Sequence, residues 1–134
     1  KAPHLRSELQ TIMQNFFGVF RRGDYMKDGI KQLSELKPRI DDVALEDKSS
    51  AFNTARIEAL ELRNLFAVAE ATAIVAEART ESRGAHARED FQDRDDENWL
   101  CHSMFFPEAK RVGKRDVNFT PKTHEPFEPV ERTY

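Results

Sequence analysis

Apolar and polar positions follow a helical period through the first 84 residues. Leu5, Leu9, Ile12, Met13, Phe16 and Phe17 recur at steps of four, three, one, three and one, which lines them along one side of an amphipathic helix. Gly18 and Gly23 then punctuate the chain. Asp24 suits the N-cap of a second helix whose stripe is Met26, Ile30, Leu33, Leu36 and Ile40. Pro38 lies within that stretch; it removes a backbone donor and crowds the preceding turn, so a kink or an early end is expected. The polar link DDVALEDKSS leads to a third helix, from Ala51 or Asn53 to Arg83, with Ser49 or Ser50 as cap and Gly84 as its stop. Ile57, Leu60, Leu65, Val68, Ile74 and Val75 supply its bulk, and its alanines raise helix propensity and let neighbours come close. Apolar residues occupy more than one face, which predicts a central position. The fold class expected is all-α, an antiparallel three-helix bundle over residues 1–84.

Beyond Gly84 the helical period stops, and residues 85–134 read as a mostly irregular arm of the same single domain. Within it WLCHSMFF and RDVNFT have the pattern of short strands pairing as a β-hairpin across a Pro107 to Gly113 loop; PKTHEPFEPVERTY is proline-punctuated and extended. The arm carries Phe91, Trp99, Phe105, Phe106, Phe119, Phe127 and Tyr134, seven of the thirteen aromatics. That is too much apolar surface to leave in water. Either the arm wraps back over its own bundle or part of it docks on a neighbour.

Composition narrows the function. A chain of 134 residues with 21 Lys+Arg against 24 Asp+Glu has a net charge of -3, so no basic field favours a phosphate backbone and nucleic acid is not an expected partner. Its one cysteine, Cys101, has no internal partner for a disulfide, which fits a reducing compartment. Crossing a bilayer takes roughly 20 apolar residues, and the best candidate, Phe66 to Ala76, is interrupted by Glu70. Direct membrane insertion is not expected. The chain starts at Lys1 with no apolar signal region, and is expected to be part of a larger polypeptide.

Candidate chemistry concentrates between Glu81 and Phe106. Ser82, His86 and Asp90 share a spacing of four, but Gly84 breaks the alignment and no strained turn presents the serine, so a nucleophilic triad is not expected. Cys101 and His102 are adjacent and the other histidines scattered, short of the four ligands of a zinc site. Asp93, Asp95, Asp96 and Glu97 lack the glycine and terminal glutamate of a calcium loop and read as a solvated acidic turn. The glycines at 18, 23, 29, 84 and 113 never reach the G-x-G-x-x-G spacing of a dinucleotide cradle. From Arg79 to Glu97 there are four bases, all arginine, against seven acids. The planar fork of arginine suits bidentate pairing with carboxylates at buried or interfacial positions. A structured docking loop therefore competes with a solvated one.

FNTARIEALELRNLFAVAEATA, followed by ARTESRGAHAREDFQDRDDENWLCHS and a closing ERTY, resembles the C-terminal region of the flavoprotein subunit of the succinate dehydrogenase/fumarate reductase family, nearest to bacterial succinate dehydrogenases. Ser82-Arg83-Gly84-x-His86 is also similar to segments of fumarate reductases and of L-aspartate oxidase, whereas DRDDENWLCHS points to the dehydrogenase. Gln92 stands where the family usually has proline. The resemblance implies a spectrin-like three-helix domain after FAD-binding and capping domains, in an enzyme that oxidises succinate with FAD and passes electrons through an iron-sulfur subunit to quinone. It implies a peripheral position on the cytoplasmic side of the bacterial inner membrane. The family's flavin-attaching, substrate-binding and proton-moving residues belong to the upstream domains, so no catalytic, cofactor-binding or metal residue is expected in this chain. Arg83, His86, Arg88, Asp90, Arg94 and Trp99 are instead expected to fix the loop against the flavin domain or the iron-sulfur partner. The same domain of a fumarate reductase or aspartate oxidase, or a free-standing helical interaction module, are the alternatives.

Overall fold

The computed structural model describes residues 1–46 and 54–131. Helix α1 spans Ala2–Phe16, with Pro3 in its first turn, where the missing N–H has no helical acceptor to lose. Helix α2 spans Gly23–Glu46 and helix α3 spans Thr54–Ala78. Leu5, Leu9 and Ile12 of α1 meet Met26, Leu33, Leu36 and Ile40 of α2 and Leu62, Phe66 and Ala73 of α3 in one core. Salt bridges fix the directions: Arg39 pairs with Glu8 and Lys27 with Glu77, so α2 runs antiparallel to both neighbours. The three-helix bundle follows from the apolar stripes of α1 and α2, as their spacing predicts.

Close approach of α1 and α2 depends on Gly29. A Cβ there would sit 2.6 Å from Phe16 Cβ and 2.6 Å from the Phe17 ring. Gly29→Ala is expected to destabilise the chain by about 1–3 kcal/mol, the usual cost of overpacking. A urea midpoint that drops at constant m-value checks this; an unchanged midpoint would show that the crossing has slack.

Several expectations need correction. Pro38 neither ends α2 nor confines it, since the helix runs on to Glu46. Pro38 and Ser34, whose carbonyl loses its helical donor, are both exposed, so water can take the lost bond. Residues 41–46 consequently belong to α2, not to a link. Asp24 lies in the first turn of α2, after its first residue Gly23, and pairs with Arg22. The third helix ends at Ala78 rather than Arg83, and Gly84, at φ +57°, serves a turn closed by the Arg83–His86 bridge. Ile57, Leu60, Leu65 and Val68 are exposed; the inner face of α3 is Ala59, Leu62, Phe66, Ala69, Ala73 and Ala76. Four alanines together with Leu62 and Phe66 pack this helix, and the expected bulky positions Ile57, Leu60, Leu65 and Val68 lie outside that face. The expected caps Ser49 and Ser50, and the expected start at Ala51 or Asn53, lie outside the described residues.

The remainder of the chain positions the loop. Strand β1, Phe20–Arg21, pairs in parallel with β2, Ala87–Arg88. A single turn of helix, α4 (Asp96–Trp99), precedes β3, Cys101–Phe106, which pairs antiparallel with β4, Arg111–Asp116. The hairpin is as expected, but β4 starts at Arg111 and the loop is only Pro107–Lys110. Lys110 N–H donates to the Pro107 carbonyl at 3.3 Å and takes φ +48°, a turn followed by a left-handed residue that reverses the chain in four positions. The hairpin leans on α3, while Phe127 and Val130 in the tail are exposed.

Candidate functional site

Leaving α3 at Ala78, the chain becomes extended, so Arg79, Glu81 and Arg83 fall on one side. Glu81 is completely buried. Its Oε2 accepts from Arg79 Nη1 at 2.5 Å and from Arg83 Nε at 2.9 Å, and its Oε1 accepts from Arg83 Nη2 at 3.0 Å and the Asp95 N–H at 2.9 Å. Burial is the largest influence on this carboxyl and raises its pKa, but Arg83, the Asp95 amide and Arg79 together hold it below the usual carboxylate range. A buried charge is tolerated only with such complete pairing.

Arg79 carries the hub to the hairpin. Its Nη1 also donates to the Trp99 carbonyl at 2.8 Å, and its Nη2 donates to the Cys101 carbonyl at 2.6 Å and Ser103 Oγ at 3.0 Å. Arg79 and Lys114 both stand over Trp99, their cations 5.2 and 3.9 Å from its ring centre, and its Nε1 donates to Thr80 Oγ1. Asp96 accepts from Arg83 and Arg94, and Arg94 Nη1 donates to the Val130 carbonyl at 2.6 Å, which tethers the tail.

A second cluster ties the loop to the α1–α2 corner. Arg88, 4% exposed, donates twice to Asp90 at 2.9 and 3.0 Å. Its Nη1 donates to the Glu77 and Arg79 carbonyls at the end of α3, where a cation is favoured by the helix dipole. Asp90 in turn accepts from the Gly23 N–H at 2.9 Å, capping α2 from 67 residues away. Arg88 first, opposed by burial, and then the Gly23 amide lower the Asp90 pKa to about 2. A Cβ at position 23 would stand 2.6 Å from Arg88 Nη2, so glycine gives these groups their room.

His86 joins both clusters. Arg21 Nη1 donates to its Nδ1 at 3.0 Å, and its Nε2 donates to the Arg79 carbonyl at 3.0 Å. Arginine has no acceptor, so these bonds require the neutral Nε2–H ring. Burial, and then the charges of Arg21, Arg88 and Arg79, lower its pKa despite the bond to the Arg79 carbonyl. A folded pKa below the unfolded value, about 6.5, means a contribution complete above that value and lost as pH falls from it through the folded pKa. Unfolding free energy is therefore expected to fall as pH drops below about 6.5, with a smaller fall in His86→Gln. An equal fall in both proteins would assign the effect elsewhere.

All six expected loop residues (Arg83, His86, Arg88, Asp90, Arg94 and Trp99) are placed in this connected structure, and each is engaged within the chain. Arg21, Gly23, Arg79 and Glu81 were missed. Arg79-x-Glu81-x-Arg83 was a usable signal, hidden by the expected extension of the helix to Arg83. The acidic turn is organised rather than merely solvated, since Asp95 caps α4 by accepting from the Asn98 N–H. Ser82, His86 and Asp90 do not form a triad: Ser82 Oγ donates to the Phe91 carbonyl and accepts from the Arg88 N–H. Among the described residues no group of three or more His, Cys, Asp or Glu is arranged to hold a metal ion, and no helix is long and apolar enough to cross a membrane. An open groove beside the loop is lined by Phe20, Gly84, Ala87, Arg83, Pro129 and Val130.

The chain is similar to known proteins in sequence and in fold. The succinate dehydrogenase flavoprotein subunit of Coxiella burnetii is 48% identical over 128 residues, covering 96% of this chain and 22% of that protein. The same subunit of Rickettsia conorii is 41% identical, covering 97% of this chain and 23% of its own length. A solved FrdA variant of E. coli quinol fumarate reductase superposes with a TM-score of 0.79 at 35% identity, covering 96% of this chain and 22% of that one. The chain thus spans about a fifth of the length of the relatives it matches. The family described as fumarate reductase flavoprotein C-term matches residues 6–134, and the chain belongs to it: this is the C-terminal domain of a succinate dehydrogenase/fumarate reductase flavoprotein.

Proposed function

We propose that this domain is a noncatalytic structural flank of a succinate-oxidising flavoprotein. In the intact enzyme, FAD held by the upstream FAD-binding and capping domains oxidises succinate, and electrons leave through an iron-sulfur subunit to quinone. The complex would sit peripherally on the cytoplasmic face of the bacterial inner membrane. Bundle and arm act as one unit, with the loop from Arg79 to Trp99 giving the flavin domain or the iron-sulfur subunit a surface of fixed shape.

One observation carries this reading: the fully buried Glu81 joins the end of α3, the Arg83 turn and the start of α4. A solvated loop has no use for such a group, whereas a surface that must keep its outline does. Arg83, His86, Arg88, Asp90, Arg94 and Trp99 then favour docking by holding the loop, while exposed neighbours such as Phe20 touch the partner. In the complete subunit, Arg83→Ala and Trp99→Ala are expected to lower flavin content and iron-sulfur subunit binding by roughly tenfold, as lost anchors of an interface do. Unchanged values for both variants would end the docking role.

The FrdA similarity favours a second reading, the equivalent domain of a fumarate reductase. Comparing succinate oxidation with fumarate reduction in the whole enzyme separates the two.

A further inference from the structure

One face of the β3–β4 hairpin is already used: Ser103 and Phe105 border α3, and Lys114 stands over Trp99. The other face is not. Side chains alternate along a strand, so the register sets His102, Met104 and Phe106 on that outer face, opposite Arg115, Gly113 and Arg111. Arg111 stacks on Phe106, its cation 4.2 Å from the ring centre, and Phe106 is 39% exposed. Gly113 makes room for the stack: a Cβ there would stand 3.1 Å from the Phe106 ring and 3.4 Å from Arg111 Nη1. Glycine inside a strand ordinarily weakens it and marks a close approach; here ring and guanidinium lie across β4 in the space it clears. The loop arginines Arg79, Arg83, Arg88 and Arg94 each meet a carboxylate. Among the described residues, Arg111 and Arg115 meet none. They stand four residues apart on one face, about 13 Å at the usual strand rise. A strand edge runs beside them, since β4 pairs with β3 alone among the described residues.

We propose that the outer face and free edge of β4 form a docking site for an acidic, extended segment of a separate protein. The segment adds to the hairpin as a third strand, sets two carboxylates four residues apart against Arg111 and Arg115, and lays an apolar side chain between them over Phe106. Main-chain bonds to the edge give such an addition its strength, and the row of side chains selects the partner. The ring beneath Arg111 holds its fork in place before pairing, which lowers the cost of fixing it. Arginine and aromatic residues together are what interface anchors are made of. Other occupants fit worse. A second β4, laid antiparallel about Gly113, puts Arg111 against Arg115, and like charges directly opposite are unfavourable. The acidic tail of the chain is held elsewhere, by Arg94 at the Val130 carbonyl, and its Pro126 and Pro129 lack the N–H that a strand needs. An anionic lipid surface calls for a cluster of about four to eight bases, whereas Glu108 and Asp116 dilute this one. Exposed charge also suits a reversible partner that must be steered to its site, rather than a permanent neighbour.

The test uses the complete flavoprotein bound to its iron-sulfur subunit, and a fluorescent peptide in which glutamate, phenylalanine and glutamate alternate with threonines. Anisotropy titration is expected to give saturable binding that weakens about tenfold in the double variant Arg111→Gln, Arg115→Gln. The same peptide with lysine in place of both glutamates is expected to bind at least about tenfold more weakly. Hydrogen exchange in the complex is expected to slow at the β4 amides. Absence of saturable binding overturns the proposal. So does an equal loss in Lys31→Gln, Lys122→Gln, which removes two exposed charges away from this face and would show diffuse attraction only. Slower exchange elsewhere with none at β4 overturns it as well. Arg111 and Arg115 are exposed, so their replacement leaves the core untouched. The reading under Proposed function fails separately, through the Arg83 and Trp99 variants, because neither residue lies on this face.

Discussion

Glu81→Ala is expected to lower the unfolding free energy of the chain by about 3–5 kcal/mol, the cost of removing one partner from a buried ion pair. Glu81 has no exposure to water, and both arginines that face it are largely shielded. Without the carboxylate, Arg79 is left with uncompensated charge, Arg83 keeps only Asp96, and the Asp95 N–H loses its acceptor. The loss would exceed that from breaking the Arg39–Glu8 pair, because that pair is exposed and screened by water. Urea unfolding of the two variants side by side checks the ranking. A cost below about 1 kcal/mol for Glu81→Ala would mean that the hub is not an energetic unit. Glu81→Leu combined with Arg79→Met and Arg83→Met is expected to recover part of the loss, since apolar replacement of a whole ionic cluster removes its desolvation cost.

Arg88→Met is expected to cost about 2–4 kcal/mol, with a distinctive footprint. Methionine fills the space of the aliphatic stem but gives no donor to Asp90 or to the carbonyls of Glu77 and Arg79. Asp90 then loses the partner that holds its pKa to about 2, and with it the aim of its bond to the Gly23 N–H. Faster hydrogen exchange is therefore expected at the Gly23 and Glu89 amides, which join the loop to the α1–α2 corner. Slower exchange should persist in the middle of α2. Uniform loosening along the whole chain would show that Arg88 supports global stability only. Arg88→Lys restores the charge without the fork and should recover less than half of the loss.

The sequence made the bundle readable where burial is one-sided. Leu5, Leu9 and Ile12 had to face inward because the rest of α1 is polar, and Met26, Leu33, Leu36 and Ile40 obey the same rule in α2. In α3 periodicity could not tell inside from outside, since Leu62 and Phe66 lie on one apolar face and Leu60 and Val68 on another. The hub was illegible for a different reason. Arg21 meets His86 across 65 residues and Gly23 meets Asp90 across 67, contacts that no local pattern announces. Burial of Glu81 depended on α3 ending at Ala78, and the run of acids and bases around it looked alike in a solvated loop and a packed one. The arginine content of the run was the informative part. Its forks account for most of the bonds that hold the loop.

The central claim is that this domain shapes the flavoprotein and leaves the chemistry to the residues upstream. It is tested most directly by turnover per bound flavin in complete enzyme carrying Arg83→Ala, measured on the fraction that still holds flavin and its iron-sulfur subunit. The account predicts wild-type turnover per flavin in that fraction, with less of the protein reaching it. A variant that assembles fully yet oxidises succinate slowly at every bound flavin would contradict it.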